Sequence, residues 1–164
     1  MVAFVVLMSG LIAAVAVDIR TRRIPNWLTG AMVGAGFGLS AGGGPVTLTN
    51  ATLGLFAGLL LMLPGHLIGA TGAGDVKLMA AVGTLIGPGP VLKAFLFSAV
   101  AGGAIAIVVA AWRGNLASTV KGAGQFVSAP TEVRPVIEAP SRRNRFAYGP
   151  AIAVGTLISL MVKL

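Results

Sequence analysis

The feature that most constrains this chain is a succession of long apolar runs, separated by short loops rich in glycine, proline and basic residues. A helix that crosses a bilayer needs about 20 mostly apolar residues, and it tolerates Gly and Pro because neighbouring helices satisfy the freed backbone groups. The pattern predicts an all-α, polytopic membrane helical bundle with about six transmembrane helices, over 2–17, 27–39, 53–68, 76–86, 91–112 and 147–162. We interpret 1–164 as a single membrane-embedded domain with a cytoplasmic loop at 113–146.

Composition narrows the chemistry that such a bundle could perform. The chain is 56% hydrophobic and 10% charged, far too apolar for an ordinary soluble domain. It has no cysteine, which removes thiolate nucleophiles and cysteine zinc sites, and its single histidine, His66, has no second imidazole for an HExxH site. We therefore predict neither a metal nor a cofactor. Because the apolar run begins before any basic residue, we expect the first segment to be a retained span and not a cleaved signal.

The basic residues indicate which side of the membrane each loop occupies. They lie in loops and not along one helical face, so the net charge of +8 does not predict nucleic-acid binding. If the loops alternate sides, one side receives only Lys93 and Lys163. The other, which should be cytoplasmic because cytoplasmic loops hold the excess of Lys and Arg, receives the remaining ten: Arg20, Arg22, Arg23, Lys77, Arg113, Lys121, Arg134, Arg142, Arg143 and Arg145.

Only two of the four acidic residues, Asp18 and Asp75, are attached to predicted spans, since Glu132 and Glu138 fall in the long loop. Ionisable groups in spans are costly and tend to be functional. Asp18 ends the first span and Asp75 begins the fourth, which places both on the cytoplasmic side. Two carboxylates that share a site can work as an acid and a base around one water.

Each aspartate also has a structural interpretation. Asp75 could cap the short fourth helix, and Asp18 could pair with Arg20 or Arg22. Against this, Gly72 and Gly74 leave space beside Asp75, where we expect that another chain could lie in extended form.

Three groups of residues resemble motifs of the type IV prepilin peptidases, a family of GxGD-type intramembrane aspartic proteases. These are Asp18-Ile19-Arg20 with Ile24-Pro25-Asn26, then Gly72-Ala73-Gly74-Asp75-Val76-Lys77, and finally Tyr148-Gly149-Pro150-Ala151. The resemblance implies that Asp18 and Asp75 are the catalytic pair, with Gly72, Gly74, Lys77 and Arg20 supporting the motifs or binding substrate. It implies a prepilin substrate with a basic leader and one hydrophobic helix, and an active site that faces the cytoplasm from the bacterial inner membrane.

The resemblance is to a short form of the family. Larger members carry paired cysteines in an added cytoplasmic region and also methylate the new amino terminus. This chain has no cysteine, so it resembles the form associated with Flp or tight-adherence pili, and we do not expect methyltransferase activity.

Several alternatives stay open from the sequence. Lys77 and Arg20 could serve only as topology markers, while Trp27, Trp112 and Tyr148 suit anchoring in interfacial lipid. Small residues at four-residue spacing favour tight helix packing and leave a homodimer open; they are Gly30, Gly34, Gly38, Gly54, Gly58, Gly65 and Gly69. The rival functions are an archaeal preflagellin-type peptidase and a non-enzymatic transporter subunit or assembly scaffold.

Overall fold

The computed structural model describes residues 1–67, 71–112 and 148–162. Within these ranges the chain forms six α-helices and no strand, which confirms the predicted all-α helical bundle. The helices are α1 (Val2–Thr21), α2 (Asn26–Ala41), α3 (Leu48–Leu67), α4 (Ala73–Ile86), α5 (Pro88–Trp112) and α6 (Gly149–Met161). The predicted loop at 113–146, with Glu132 and Glu138, lies outside the described residues, as do Gly69 and Lys163.

Three helices of the described part, α1, α3 and α5 over Pro88–Val109, are long and apolar enough to cross a membrane. The helices extend beyond the predicted apolar spans. Thus α1 continues through Asp18 to Thr21, and α3 begins at Leu48 and not at residue 53. The difference arises because hydropathy marks the part of a helix that lies in hydrocarbon, whereas backbone hydrogen bonding continues into the polar interface.

The short helix α4 lies at the centre of the bundle. Every residue from Asp75 to Leu85 except Lys77 is buried, and α4 packs against all five other described helices. Its 14 residues span about 21 Å, less than the hydrocarbon thickness of about 30 Å. Because α4 is surrounded by protein, its length does not need to match the bilayer.

Glycines allow α3 and α4 to pack backbone against backbone. A Cβ atom at Gly54 would collide with the carbonyl oxygen of Gly83, and one at Gly58 would collide with the backbone of Met79. The four-residue spacing on α3 therefore serves tight packing. A Cβ atom at Gly30, Gly34 or Gly38 on α2 would meet nothing within 4 Å, so a homodimer through that stripe stays a prediction.

The helices alternate in direction, which brings Asp18 and Asp75 to one end of the bundle, called here the aspartate end. Gly10 of α1 lies against Met32 of α2, and Gly36 of α2 lies against Thr84 of α4. The aspartate end also carries four of the described basic residues, whereas Lys93 lies in the second turn of α5, near the opposite end. The four are Arg20, Arg22, Arg23 and Lys77.

Candidate active site

Asp18 is buried in the last turn of α1, with only 4% of its surface exposed. The helix ends three residues later, at Thr21, because Arg22 adopts a left-handed conformation with φ of 52° and donates its backbone N–H to the Asp18 carbonyl at 2.7 Å. A left-handed residue other than glycine costs about 1 kcal/mol or more. The turn sends the chain towards α2 while the Asp18 side chain stays inside the bundle.

The first residue of α6 supplies a hydrogen bond to this buried carboxylate. The backbone N–H of Gly149 donates to Oδ2 of Asp18 at 2.9 Å. No larger residue fits there, since a Cβ atom at Gly149 would stand 2.7 Å from the same oxygen. A helix N-terminus has unpaired N–H groups and a partial positive charge, both of which stabilise a carboxylate. The contact joins residues 131 positions apart and was not predicted, although both belong to the quoted motifs.

Asp75 is also buried, with 7% of its surface exposed, in the first turn of α4. Its Oδ2 accepts a hydrogen bond from the backbone N–H of Gly72, the N-cap residue, at 2.9 Å. The capping interpretation is therefore observed, with Asp75 at the third helical position and not at the cap itself. A cap and a catalytic role are compatible, because the hydrogen bond fixes the carboxylate while leaving its chemistry intact.

The glycines beside Asp75 have an internal role that the sequence did not reveal. Gly74 lies inside α4, and a Cβ atom there would stand 3.1 Å from the Cβ of Ile24, the residue that begins the Ile24-Pro25-Asn26 motif. A Cβ atom at Gly72 would stand 3.0 Å from the Asp75 carboxylate. On these sides the space expected for an extended partner chain is filled by the protein's own groups, because the helix starts before Asp75.

Tyr148 connects the start of α6 to α5. Its hydroxyl donates to the Ser98 carbonyl on α5 at 3.1 Å, and its ring covers Gly102. Tyr148 directly precedes Gly149, whose N–H contacts Asp18. The side chain is half-buried, so it packs at least partly against protein, and its role as an interfacial anchor stays a prediction.

Lys77 links two of the motifs. Its Nζ donates to Oδ1 of Asn26, the first residue of α2, at 2.9 Å. The exposed Arg20 lies in the last turn of α1, at the same end of the bundle. Both cations thus lie at the aspartate end of the bundle, while their roles as substrate contacts or topology markers stay predictions.

His66, near the end of α3, contacts Thr71, which lies just before the Asp75 segment. Its Nδ1 lies 3.1 Å from the Thr71 carbonyl, to which it can donate a hydrogen bond. The N–H of Thr71 in turn donates to the Gly65 carbonyl at 3.1 Å. In the described ranges no three side chains among His, Asp and Glu gather where they could hold a metal ion.

Comparison with known proteins gives an independent assignment. Residues 5–107, which include Asp18 and Asp75, match the sequence model of the type IV leader peptidase family. Two relatives, from Burkholderia pseudomallei strains 1026b and K96243, carry the name prepilin leader peptidase/N-methyltransferase and are 34% identical over 119 residues. The match covers 67% of this chain and 38% of each relative, so the chain spans well under half the length of these proteins. No solved structure matches it significantly. On the match over 5–107, the chain belongs to the type IV leader peptidase family.

Proposed function

We propose that this membrane protein is an aspartic endopeptidase that removes the leader peptide of Flp-like type IV prepilins, with Asp18 and Asp75 as the catalytic pair. The observation that carries the proposal is the placement of two buried carboxylates at one end of a membrane bundle, each accepting a hydrogen bond from a glycine N–H at the start of a helix. Buried carboxylates in a membrane protein are costly, and their retention favours a function. Family membership supplies the class of reaction.

The mechanism needs one aspartate to be ionised and the other protonated. The ionised carboxylate takes a proton from a water molecule as the water oxygen attacks the carbonyl carbon of the scissile peptide bond. The protonated carboxyl donates its proton to the carbonyl oxygen. When the tetrahedral intermediate collapses, the C–N bond breaks and the departing nitrogen receives a proton, which leaves a carboxyl and an amine. The first carboxyl gives the proton it took from water to the nitrogen, and the second takes a proton from the intermediate. One aspartate is then again ionised and the other protonated.

Two helix N-termini support the charge that such a pair must hold. The N–H of Gly149 at the start of α6 contacts Asp18, and the N–H of Gly72 before α4 contacts Asp75. Both favour an ionised carboxylate, and two close carboxylates oppose double ionisation. The pair would thus hold one proton between its members, and its titration belongs to both of them.

The charge pattern supports an orientation with the aspartate end towards the cytoplasm of the bacterial inner membrane. Arg20, Arg22, Arg23 and Lys77 lie at that end, and Lys93 lies near the other. The leader of a prepilin would then reach the site from the cytoplasm. A cysteine introduced at Gly43 should react with a membrane-impermeant maleimide in intact cells. One introduced at Arg23 should react only after the cells are opened, and the reverse pattern would exclude this orientation.

The proposal is tested by replacing each aspartate with its uncharged isostere. Asp18→Asn and Asp75→Asn should each lower the rate of prepilin cleavage by at least about 10²-fold to 10⁴-fold, the usual contribution of a general acid or base. The matched controls are Glu132→Gln and Glu138→Gln, which alter the other two acidic residues of the chain. Cleavage is measured by co-expression with a Flp prepilin and N-terminal sequencing of the product. Near wild-type cleavage by either Asp variant would exclude the pair.

The lack of methyl transfer stays a prediction. It can be checked in the same experiment by the mass of the new amino terminus.

A further inference from the structure

An apolar groove runs between α1 and α6 on the outside of the bundle. It encloses about 300 Å³ and is lined by apolar side chains, among them Met8, Ile12, Val15 and Ala16 from α1 and Ala153 and Leu157 from α6. Such a lining offers no hydrogen bond to a polar ligand. Its occupant must therefore present hydrocarbon to these walls.

The groove lies next to the candidate active site. Val15 lies three positions before Asp18 on the same side of α1, and Ala153 lies four positions after Gly149 on the same side of α6, which correspond to about 4.5 Å and 6 Å along the two helices. The two helices that form the walls are also the ones that hold Asp18 and its N–H donor. An extended molecule in the groove would thus have one end beside the Asp18 carboxylate.

We propose that this groove receives the first turns of the substrate's hydrophobic helix, immediately after the bond that is cleaved. This inference rests on the proposed function and deepens it, because it names the surface that recognises the membrane-anchored part of the substrate. A peptidase that cuts where a polar leader meets an apolar helix has to hold that helix close to the reacting carboxylates. The polypeptide that carries the cleaved bond therefore suits a groove that lies next to Asp18. A lipid chain would gain nothing from being close to the carboxylates.

The lining suits a helix as the occupant. In a bilayer, two helices gain no hydrophobic free energy by associating, because lipid tails are as apolar as their side chains. They associate instead by close packing, which small residues permit because they let the two backbones approach. Ala16 and Ala153 provide such small positions, one on each wall at the end nearest Asp18. Ile12, which is 69% exposed, and Met8 lie deeper along the same wall.

The helical rise sets the expected register between enzyme and substrate. Ile12 lies six positions before Asp18, or about 9 Å along α1. A substrate helix in the groove would therefore place about its sixth residue after the cleaved bond opposite Ile12. This register can be tested by mapping which substrate residue lies opposite Ile12.

The chain has no cysteine, so crosslinks can be read without background. We combine Ile12→Cys with Asp75→Asn, to keep the substrate intact, and scan single cysteines through the hydrophobic helix of a Flp prepilin. Disulfide formation should peak about six residues after the cleavage site and recur every three or four residues. The matched control is Leu96→Cys on α5, which is 55% exposed and outside the groove. Equal crosslinking at both positions, no crosslinking at Ile12, or crosslinks only between two copies through Ile12 would overturn the proposal.

A second variant tests the groove by filling it. Ala16→Phe should raise KM for prepilin about tenfold or more and leave kcat within about threefold, because overpacking opposes binding of the helix. Ala104→Phe, at an exposed alanine on α5 outside the groove, should change neither constant. An unchanged KM in Ala16→Phe would overturn the proposal. If the wild-type protein cleaves no prepilin, the proposed function fails, while the crosslinking pattern still decides what the groove holds.

Discussion

Replacement of Gly149 by alanine tests the contact between α6 and Asp18. The added Cβ atom would stand 2.7 Å from Oδ2 of Asp18 and 3.2 Å from its Cβ, whereas ordinary contact begins at 3.4 Å. The carboxylate and the helix N-terminus must therefore separate by about 0.7 Å, which is 3.4 minus 2.7 Å. That shift stretches the 2.9 Å hydrogen bond from the Gly149 N–H to about 3.6 Å, beyond the useful range.

The size of the effect follows from the lost hydrogen bond. A hydrogen bond to a charged group contributes about 1.5–3 kcal/mol, which corresponds to about 10-fold to 150-fold in rate if it is needed in the transition state. Displacement of a catalytic group by about 1 Å also costs about 10²-fold. We therefore expect Gly149→Ala to lower kcat/KM for prepilin about 100-fold. The change is confined to the first residue of α6, so the variant should still accumulate in the membrane.

The control is Gly103→Ala on the exposed side of α5, where an added Cβ atom meets nothing within 4 Å. Cleavage rates are measured on purified protein in detergent, together with the melting temperature of each variant. Gly103→Ala should cleave like the wild type and melt at the same or a slightly higher temperature, because alanine is the better helix former inside α5. If Gly149→Ala cleaves within threefold of wild type, the argument that this N–H positions Asp18 for catalysis is wrong.

Two further predictions concern the residues around the aspartates. Asn26→Ala removes the oxygen that accepts from Lys77 Nζ and should lower kcat/KM about fivefold, equivalent to about 1 kcal/mol, by loosening α2 from the start of α4. Asn26→Asp keeps an acceptor and should stay near wild type, and equal losses in both variants would contradict this role. Tyr148→Phe removes the donor to the Ser98 carbonyl and should cost about 1 kcal/mol of stability at neutral pH. Thermal melting of the two purified proteins in detergent checks this loss, and equal melting temperatures would contradict it.

The sequence by itself determined the helices and the residues that carry chemistry. In a membrane, the backbone N–H and C=O groups of long apolar runs find their hydrogen bonds within helices. The fold class therefore followed from local composition. The scarcity of acidic residues left Asp18 and Asp75 as the two carboxylates attached to spans. The motifs around them were sufficient to indicate the family. These are properties of short segments, which do not depend on how the segments pack.

Only the tertiary structure decided how these segments meet. The partner of Asp18 lies 131 positions away, and Lys77 contacts a residue 51 positions away. The internal role of Gly74 likewise depends on Ile24, which belongs to another motif.

The physical reason is that the spans are apolar on all sides. In a soluble helix, the polar face shows which side is buried, but in a bilayer the lipid is as apolar as the protein interior. Leu11 and Ile12 are neighbours of nearly identical hydropathy, yet Leu11 is 2% exposed in the core and Ile12 is 69% exposed in the groove. Hydropathy cannot separate two such residues. Which of the two residues is buried depends on how small residues pack between helices. That packing exists only once the helices are assembled.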